Sequence, residues 1–139
     1  MYKILLDTNV LLDYLINERI GNQAAKKILE ATVKEELESY ISPISLLNIF
    51  YILRQQLSEQ ERKDVTESFL DILNIVVLDV DILQLGLFTA IADYEDGVQY
   101  VSAKKADVDF IITGDEKFRD YDLDIKRMSA AEFNKNYCL

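Results

Sequence analysis

The chain contains no histidine and no tryptophan, and Cys138 is its only cysteine. Histidine is the commonest general base and metal ligand. Its absence excludes Ser-His-Asp triads, Cys-His pairs and histidine-rich zinc sites. One cysteine excludes an internal disulfide and thiolate metal sites. Catalysis must therefore rest on carboxylates, amides, hydroxyls or lysine, and oxygen-rich sites select hard cations such as Mg²⁺ and Mn²⁺.

Proline, glycine and long apolar runs are also scarce. Pro43 is the only proline, and the four glycines are scattered. Without a linker, repeat or low-complexity segment, we expect one domain over residues 1–139. No apolar run is long enough to cross a bilayer, and Met1-Tyr2-Lys3 leads into a strand-like run without a hydrophobic signal segment. We expect a cytoplasmic protein with no membrane association.

Basic residues are fewer than acidic ones, 15 against 25, and the net charge is −10. This argues against a broad electrostatic surface for nucleic acid. The charges are unevenly placed, with eight acidic and no basic residues from Asp64 to Ala103 and six basic residues from Lys104 to Arg127. An acidic protein can still bind a polyanion locally if metals neutralise the carboxylates of its site.

Short apolar runs alternate with helical patterns along the chain. Strands are predicted at Lys3–Asp7, from Tyr40-Ile41, at Ile75–Leu78, at Phe110–Thr113 and at Ile125–Met128. Helices are predicted at Val10–Ile16, Asn22–Val33, Ile44–Leu57, Ser58–Asn74, Ile82–Ala92, Asp93–Ala106 and from Ser129. Asn9 is the expected N-cap of the first helix, and Ser42-Pro43 precede the third. The third of these helices is so apolar that it should be largely buried. Alternating strands and helices predict an α/β fold with a parallel sheet covered on both faces.

Two carboxylates follow predicted strands. Asp7 ends the first strand, and Asp115 comes just after the fourth. Ligands bind beyond the carboxyl ends of parallel strands, so both would face one crevice if these strands are neighbours. A carboxylate beside the backbone N–H groups of a turn suits metal and phosphate binding. Ordinary turn chemistry explains both residues as well, and for Asp7 the two interpretations carry equal weight.

Asp96 lies in the first turn of a predicted helix. Asp93 and Asp96 have the spacing of a capping box, and acidic residues favour helix N-termini. The alternative role for Asp96 is a metal ligand facing the crevice, which three carboxylates in four residues favour. We expect Glu95 to point elsewhere on the helix, into solvent.

Asn48 is the conspicuous polar residue of an apolar helix. A buried amide left unpaired costs roughly 1–3 kcal/mol. Asn48 therefore either bonds to neighbouring backbone or faces the carboxylates, through its N–H₂ group or through its carbonyl oxygen to a metal. Three carboxylates and an amide would then meet at one end of the sheet. One or two cations there would relieve the repulsion, polarise a phosphodiester, activate water and stabilise the leaving oxygen.

Three segments resemble the PIN-domain family. Leu5–Asp13 resembles its opening strand and turn, and Ile112–Phe118 resembles its late strand with Thr-x-Asp-x-x-Phe. Asp93–Tyr100 is similar to the helix start of a PIN subgroup with a Glu-Asp-x-x-Gln-Tyr signature. The resemblance covers nearly the whole chain, in order and at the family's spacing.

The resemblance implies a fold and an activity. The fold is a three-layer α/β/α sandwich whose parallel sheet has strand order 3-2-1-4-5. The activity is that of an Mg²⁺- or Mn²⁺-dependent endoribonuclease acting on RNA, as in many toxins of bacterial toxin–antitoxin pairs (VapC-type), which are often homodimers inhibited by a small antitoxin. By motif, the resemblance implies Asp7, Asp96 and Asp115 as catalytic metal-site carboxylates, with Asn9 and Thr113 as supporting polar residues. To these we add Asn48 as a further metal ligand and Asp93 as a further supporting polar residue. Lys117 and Arg119 would contact RNA, unless they are ordinary surface charges.

One position departs from the family pattern. The family usually carries glutamate where Asn48 stands, and an amide there lowers the expected metal affinity. Weak activity, altered metal preference and inactivity all stay open, and the alternative function is a non-catalytic PIN module that binds RNA or a protein.

Other phosphate-handling enzymes fit less well. A haloacid-dehalogenase-type phosphatase requires aspartate at the position of Asn9. A receiver domain requires an acidic pair before the first helix and a lysine after a late strand. A nucleotide-binding enzyme requires a glycine-rich phosphate loop, which this sequence lacks.

Overall fold

The computed structural model describes residues 1–137, so the cysteine at position 138 lies outside the described residues. The strands are β1 (Tyr2–Leu6), β2 (Leu37–Ile41), β3 (Asn74–Ile75), β4 (Phe110–Ile112) and β5 (Lys126–Met128). The helices are α1 (Thr8–Leu15), α2 (Asn22–Val33), α3 (Pro43–Ile52), α4 (Glu59–Ile72), α5 (Val80–Gly86), α6 (Tyr94–Lys105), α7 (Glu116–Arg119) and α8 (Ala130–Tyr137). Across residues 1–137, none of these helices has the length and apolar character needed to cross a membrane.

All strand pairs of the sheet are parallel, and the strand order is β3-β2-β1-β4-β5. The register pairs Leu5 with Tyr40 on β2 and Leu6 with Ile112 on β4. The predicted α/β/α architecture and strand order are therefore confirmed. Strand β1 lies at the centre, with β4 as its direct neighbour.

Side chains of β1 alternate between two hydrophobic cores, as they must along a strand. Ile4 and Leu6 pack into a core that also contains Leu11, Ile28 and Phe133, from helices α1, α2 and α8. The side chain between them, Leu5, packs on the other face with residues of α6, β4 and α7. Helices thus cover both faces of the sheet, and the centre of β1 is inaccessible to solvent.

Several predicted boundaries are wrong. Helix α1 begins at Thr8 because the Asp7 side chain, not Asn9, caps it. Tyr40-Ile41 end β2 rather than begin it. Of the predicted third strand only Ile75 pairs, since β3 is an edge strand held by two residues of β2. Asp79 starts α5 earlier than predicted, and the helix ends at Gly86.

The apolar third helix is not largely buried, contrary to prediction. Helix α3 ends at Ile52 and continues into a short 3₁₀ turn. Only Ser45 and Ile49 are buried in it, whereas Leu47 and Tyr51 are 71% and 62% exposed. An apolar sequence predicts that a face avoids water, but it does not say whether this chain or another covers that face.

Candidate active site

The carboxyl ends of β1 and β4 lie side by side, so Asp7 and Asp115 lie at the same edge of the sheet, where the crevice was predicted. Hydrogen bonds join the two strand ends directly. The backbone N–H of Asp7 donates to the carbonyl of Ile112 (2.9 Å), and Thr113 Oγ1 donates to Asp7 Oδ2 (2.8 Å). Helices α3 and α6 reach the same place, because Gln99 of α6 contacts both Asp7 and Ser45 of α3.

Asp7 is buried, with 7% of its surface exposed, and four donors surround its carboxylate. Oδ1 accepts from Thr8 N (2.8 Å) and Gln99 Nε2 (2.9 Å). Oδ2 accepts from Thr113 Oγ1 and from Asn9 Nδ2 (3.2 Å). Burial raises the pKa of Asp7 and the charge of Asp115 adds to this, while the hydrogen bonds from Thr113, Thr8 and Gln99 oppose it.

Asp96 lies in the first turn of α6, facing the other carboxylates. Asp93 is the N-cap, since its Oδ1 accepts from Asp96 N at 3.0 Å. Capping thus explains Asp93 and leaves the Asp96 carboxylate free for the crevice. Burial raises the pKa of Asp96 to about 7, and the negative charges of Asp7, Asp93, Asp115 and Glu95 contribute further.

Asp115 is fixed by the turn after β4. Its Oδ1 accepts from Lys117 N (3.0 Å), which makes it the N-cap of the short helix α7. The turn is tied to α1, because Gly114 N donates to Asn9 Oδ1 at 2.9 Å. A cavity of about 610 Å³ opens beside this turn, and Arg19, paired with Asp13 at 2.6 Å, lies on its wall.

Asn48 contacts a side chain that we expected to point away from the crevice. Its Nδ2 donates to Glu95 Oε1 at 3.0 Å, which links α3 to the first turn of α6. Burial raises the pKa of Glu95, the charges of Asp7 and Asp93 add to this, and the bond from Asn48 opposes it. Glu95 is therefore exposed to solvent, as expected, but its carboxylate contacts α3 instead of pointing away from it.

The two predicted RNA-contact residues differ in their surroundings. Lys117 is exposed beside Asp115. The guanidinium of Arg119 instead lies 3.7 Å from Glu132 of α8, so it is already engaged by a carboxylate.

Three residues of the site were missed from the sequence. Gln99 is only 2% exposed, and its Nε2 donates to Ser45 Oγ (3.1 Å) as well as to Asp7. Thr8 Oγ1 donates to the same Ser45 oxygen at 2.8 Å. A signal was available, because Gln99 follows Asp96 by three residues and so shares its helix face.

The donor set of the crevice fits a hard divalent cation by its chemistry. All the available ligands are oxygens, and the raised pKa of Asp96 reflects clustered negative charge that a cation would relieve. In the part of the chain described, no three acidic side chains lie close enough together to form a complete metal cage. Magnesium commonly takes only one or two protein carboxylates and keeps several waters, so the two findings are compatible.

Comparison with known protein families gives a match to the PIN domain over residues 3–117. That span includes every residue of the crevice described above.

Individual relatives have low sequence identity but extensive overlap. Ribonuclease VapC1 of Aquifex aeolicus (strain VF5) is 23% identical over 136 residues, which covers 94% of this chain and 92% of the relative. The crystal structure of Mycobacterium tuberculosis VapC20, a sarcin-ricin-loop-cleaving toxin, superposes with a TM-score of 0.66 and 11% identity, covering 83% of this chain and 92% of that one. A toxin–antitoxin complex from Klebsiella pneumoniae contains a chain with a TM-score of 0.66 and 22% identity, covering 91% and 97%. These two structural likenesses show the fold.

Proposed function

This chain belongs to the PIN-domain family, and from that premise we propose that it is an endoribonuclease that hydrolyses RNA phosphodiester bonds with Mg²⁺ or Mn²⁺. The observation that carries the proposal is that Asp7 and Asp115 follow the neighbouring strands β1 and β4. Burial and then the charges of Asp7 and Asp115 raise the pKa of Asp96 on α6, which supports its place in the same site. The ribonuclease activity named for the Aquifex aeolicus relative supports it.

In this proposal Asp7, Asp96 and Asp115 hold the cation, and Asn48 offers its carbonyl oxygen as a further ligand. When bound, the cation would polarise the phosphodiester and activate water. The chain's own residues orient the carboxylates. Asn9 and Thr113 fix Asp7, and Asp93 caps the helix that carries Asp96, as described above. Lys117 is the nearest candidate for contact with the RNA backbone, because Arg19 and Arg119 are each already paired with a carboxylate.

A cleavage assay with matched metal conditions tests this proposal. Single-stranded RNA is incubated with the purified protein and Mn²⁺, Mg²⁺ or a chelator, with DNA of the same sequence as control. We expect RNA cleavage with either cation and none with the chelator. Cleavage that persists in the chelator would contradict the metal requirement. If RNA is not cleaved under any condition, the proposed ribonuclease activity is contradicted.

A second candidate function is a non-catalytic module that binds RNA or a protein partner. The finding that favours it is the absence, within residues 1–137, of three acidic side chains close enough to form a cage. Calorimetric titration of the folded protein with Mn²⁺ separates the two functions. A measurable, saturable heat of Mn²⁺ binding supports the metal-dependent enzyme. If no heat of binding is detected, the non-catalytic module is supported.

We further propose that a small antitoxin protein inhibits this chain. The solved complex from Klebsiella pneumoniae supports this, as does an apolar groove of about 340 Å³ lined by Tyr14, Leu29, Val33 and Ile72. Co-expression with the product of the adjacent reading frame should give a complex that no longer cleaves RNA. Val33→Glu in the groove should release the partner, and an unchanged complex would contradict this docking site.

We also propose a homodimer. Helix α3 leaves Leu47 and Tyr51 exposed, and Phe88 after α5 is 85% exposed. Exposed apolar side chains of this size suit an interface between chains. Sedimentation should show a dimer that Tyr51→Lys weakens, whereas a monomer at micromolar concentration would contradict the proposal.

A further inference from the structure

Gln99 connects three of the segments that build the crevice. Its Nε2 donates to Asp7 Oδ1 at the end of β1 and to Ser45 Oγ on α3, while its backbone belongs to α6. The loop of contacts closes through Thr8, which donates its backbone N–H to Asp7 and its hydroxyl to Ser45. Four residues therefore form a closed ring of hydrogen bonds that includes Asp7 Oδ1.

The chemistry of the ring fixes how the amide points. An ionised carboxylate only accepts hydrogen bonds, so the N–H₂ end of Gln99 must face Asp7. Its Oε1 then has no hydrogen-bond partner among residues 1–137 and is buried. A buried amide with one unpaired end is a poor choice if its only task is to pack helices, because an apolar side chain would do so without the desolvation cost.

The position of Gln99 on its helix ties this ring to a second carboxylate. Asp96 and Gln99 are three residues apart, and residues with this spacing lie on the same face of a helix. Anchoring Gln99 to Asp7 therefore sets how far the Asp96 turn stands from the end of β1. The hydrogen bond from Gln99 to Asp7 therefore orients the Asp7 carboxylate and also fixes the position of Asp96.

We propose that Gln99 is a positioning residue of the site, which orients the Asp7 carboxylate and sets its spacing from Asp96. The inference rests on the proposed metal-dependent function. Residues that hydrogen-bond to metal-binding carboxylates commonly change metal affinity about 10–100-fold when replaced. Gln99 acts through Asp7 and Asp96 and need not touch RNA.

The test replaces Gln99 by an apolar side chain of similar length, Gln99→Met. Gln60→Met is the matched control, since the Gln60 side chain is exposed on α4 and, among residues 1–137, hydrogen-bonds only to Asp64. Mn²⁺ affinity is measured by calorimetry on the protein alone, and kcat and KM are measured separately with RNA. We expect Gln99→Met to weaken Mn²⁺ binding about 10–100-fold and to lower kcat with little change in KM. Gln60→Met should match the wild type.

Ser45→Ala is a second variant, needed if Gln99→Met fails to fold. It removes one acceptor of the Gln99 amide and should give a smaller loss of Mn²⁺ affinity in the same direction. Wild-type Mn²⁺ affinity in a folded Gln99→Met, or in Ser45→Ala when that is the folded variant, overturns the inference. A wild type that binds Mn²⁺ without cutting RNA contradicts the proposed function alone, and a wild type that binds no Mn²⁺ overturns both.

Discussion

Asp7 is a buried carboxylate whose ionised form is stabilised by hydrogen bonds from the surrounding residues. Burial by itself favours the neutral acid, which binds a cation poorly. Four hydrogen-bond donors offset much of that cost, and their distances of 2.8–3.2 Å are ordinary for such bonds. The side chain is thus held in one orientation at the strand end. Asp96, by contrast, lies among negative charges and has fewer compensating contacts.

Glu95 is exposed to solvent, as expected, but it should still contribute charge to the crevice. Glu95→Gln keeps an acceptor for Asn48 but removes one negative charge near Asp7. We expect roughly threefold to tenfold weaker Mn²⁺ binding, since about 1 kcal/mol is the interaction of charges a few ångströms apart in water-like surroundings. Calorimetry measures this, with Glu67→Gln on α4 as control. Equal affinities for Glu95→Gln and the wild type would show that Glu95 lies outside the site.

Asp96 should make the metal-free protein less stable as the pH rises. Its pKa is about 7 in the folded protein and 3.8 ordinarily. Between these values only the folded state holds the proton, so the stabilisation present at low pH is lost as the pH rises through about 7. Asp96→Asn mimics the neutral acid. It should raise the free energy of unfolding at pH 8 by roughly 0.5–2 kcal/mol, the range for removing an unfavourable charge.

Urea unfolding at pH 5 and pH 8 without divalent cations measures this effect. The wild type should lose more stability between the two values than Asp96→Asn does. Asp71→Asn, on the exposed side of α4, should follow the wild type. An identical loss in all three proteins would contradict the raised pKa of Asp96.

The carboxylates at the strand ends were predictable from the sequence, whereas the residues that contact and orient the site carboxylates were not. Asp7 and Asp115 follow from the rule that ligands bind at the carboxyl ends of parallel strands. Gln99 and Glu95 acquire their roles only from how α6 sits against β1 and α3. That placement depends on packing between segments about 50 to 90 residues apart in the chain, which local patterns do not encode.

Helices α5 and α6 pack closely because two glycines meet between them. A Cβ atom on Gly97 would lie 2.8 Å from the carbonyl oxygen of Gly86 and 3.0 Å from Thr89 Oγ1. The first of these contacts is to backbone, which cannot rotate away. Gly97 also directly follows Asp96, so the same close packing sets the position of the site's helix turn.

Gly97→Ala should therefore destabilise the protein. Alanine gains about 1 kcal/mol from helix propensity, but overpacking typically costs about 1–3 kcal/mol, so the net effect should be a loss. Denaturant unfolding measures it. Gly114→Ala is a milder comparison, because its Cβ would lie 3.3 Å from the side-chain oxygen of Asn9. A Gly97→Ala protein as stable as the wild type would contradict the close packing.

Elements with local signals were predicted well, and those that depend on neighbours were not. Ser42-Pro43 and Ser58 begin α3 and α4 as expected, because capping chemistry is local. The length of β3 depends on its partner strand, and the burial of α3 depends on what covers it. The short helix α7 was not predicted, since four residues carry too little periodicity to detect.

Across the chain, the sheet order and the excess of acidic residues lead to the same conclusion. The order β3-β2-β1-β4-β5 brings Asp7 and Asp115 together, as the family resemblance implied. The net charge of −10 opposes binding of a polyanion. A cation between the clustered carboxylates and the RNA phosphate would resolve that conflict locally. The fold was thus predictable from pattern and family.

The cleavage rate of single-stranded RNA at saturating Mn²⁺, compared between the wild type and Asp7→Asn, decides whether Asp7 is the centre of a ribonuclease site. Asp71→Asn serves as the matched control for loss of one carboxylate. We predict cleavage by the wild type and by Asp71→Asn, and a loss of at least about 100-fold for Asp7→Asn, as expected when a transition-state interaction of about 2.7 kcal/mol is removed. Equal cleavage by Asp7→Asn and the wild type would contradict the assignment.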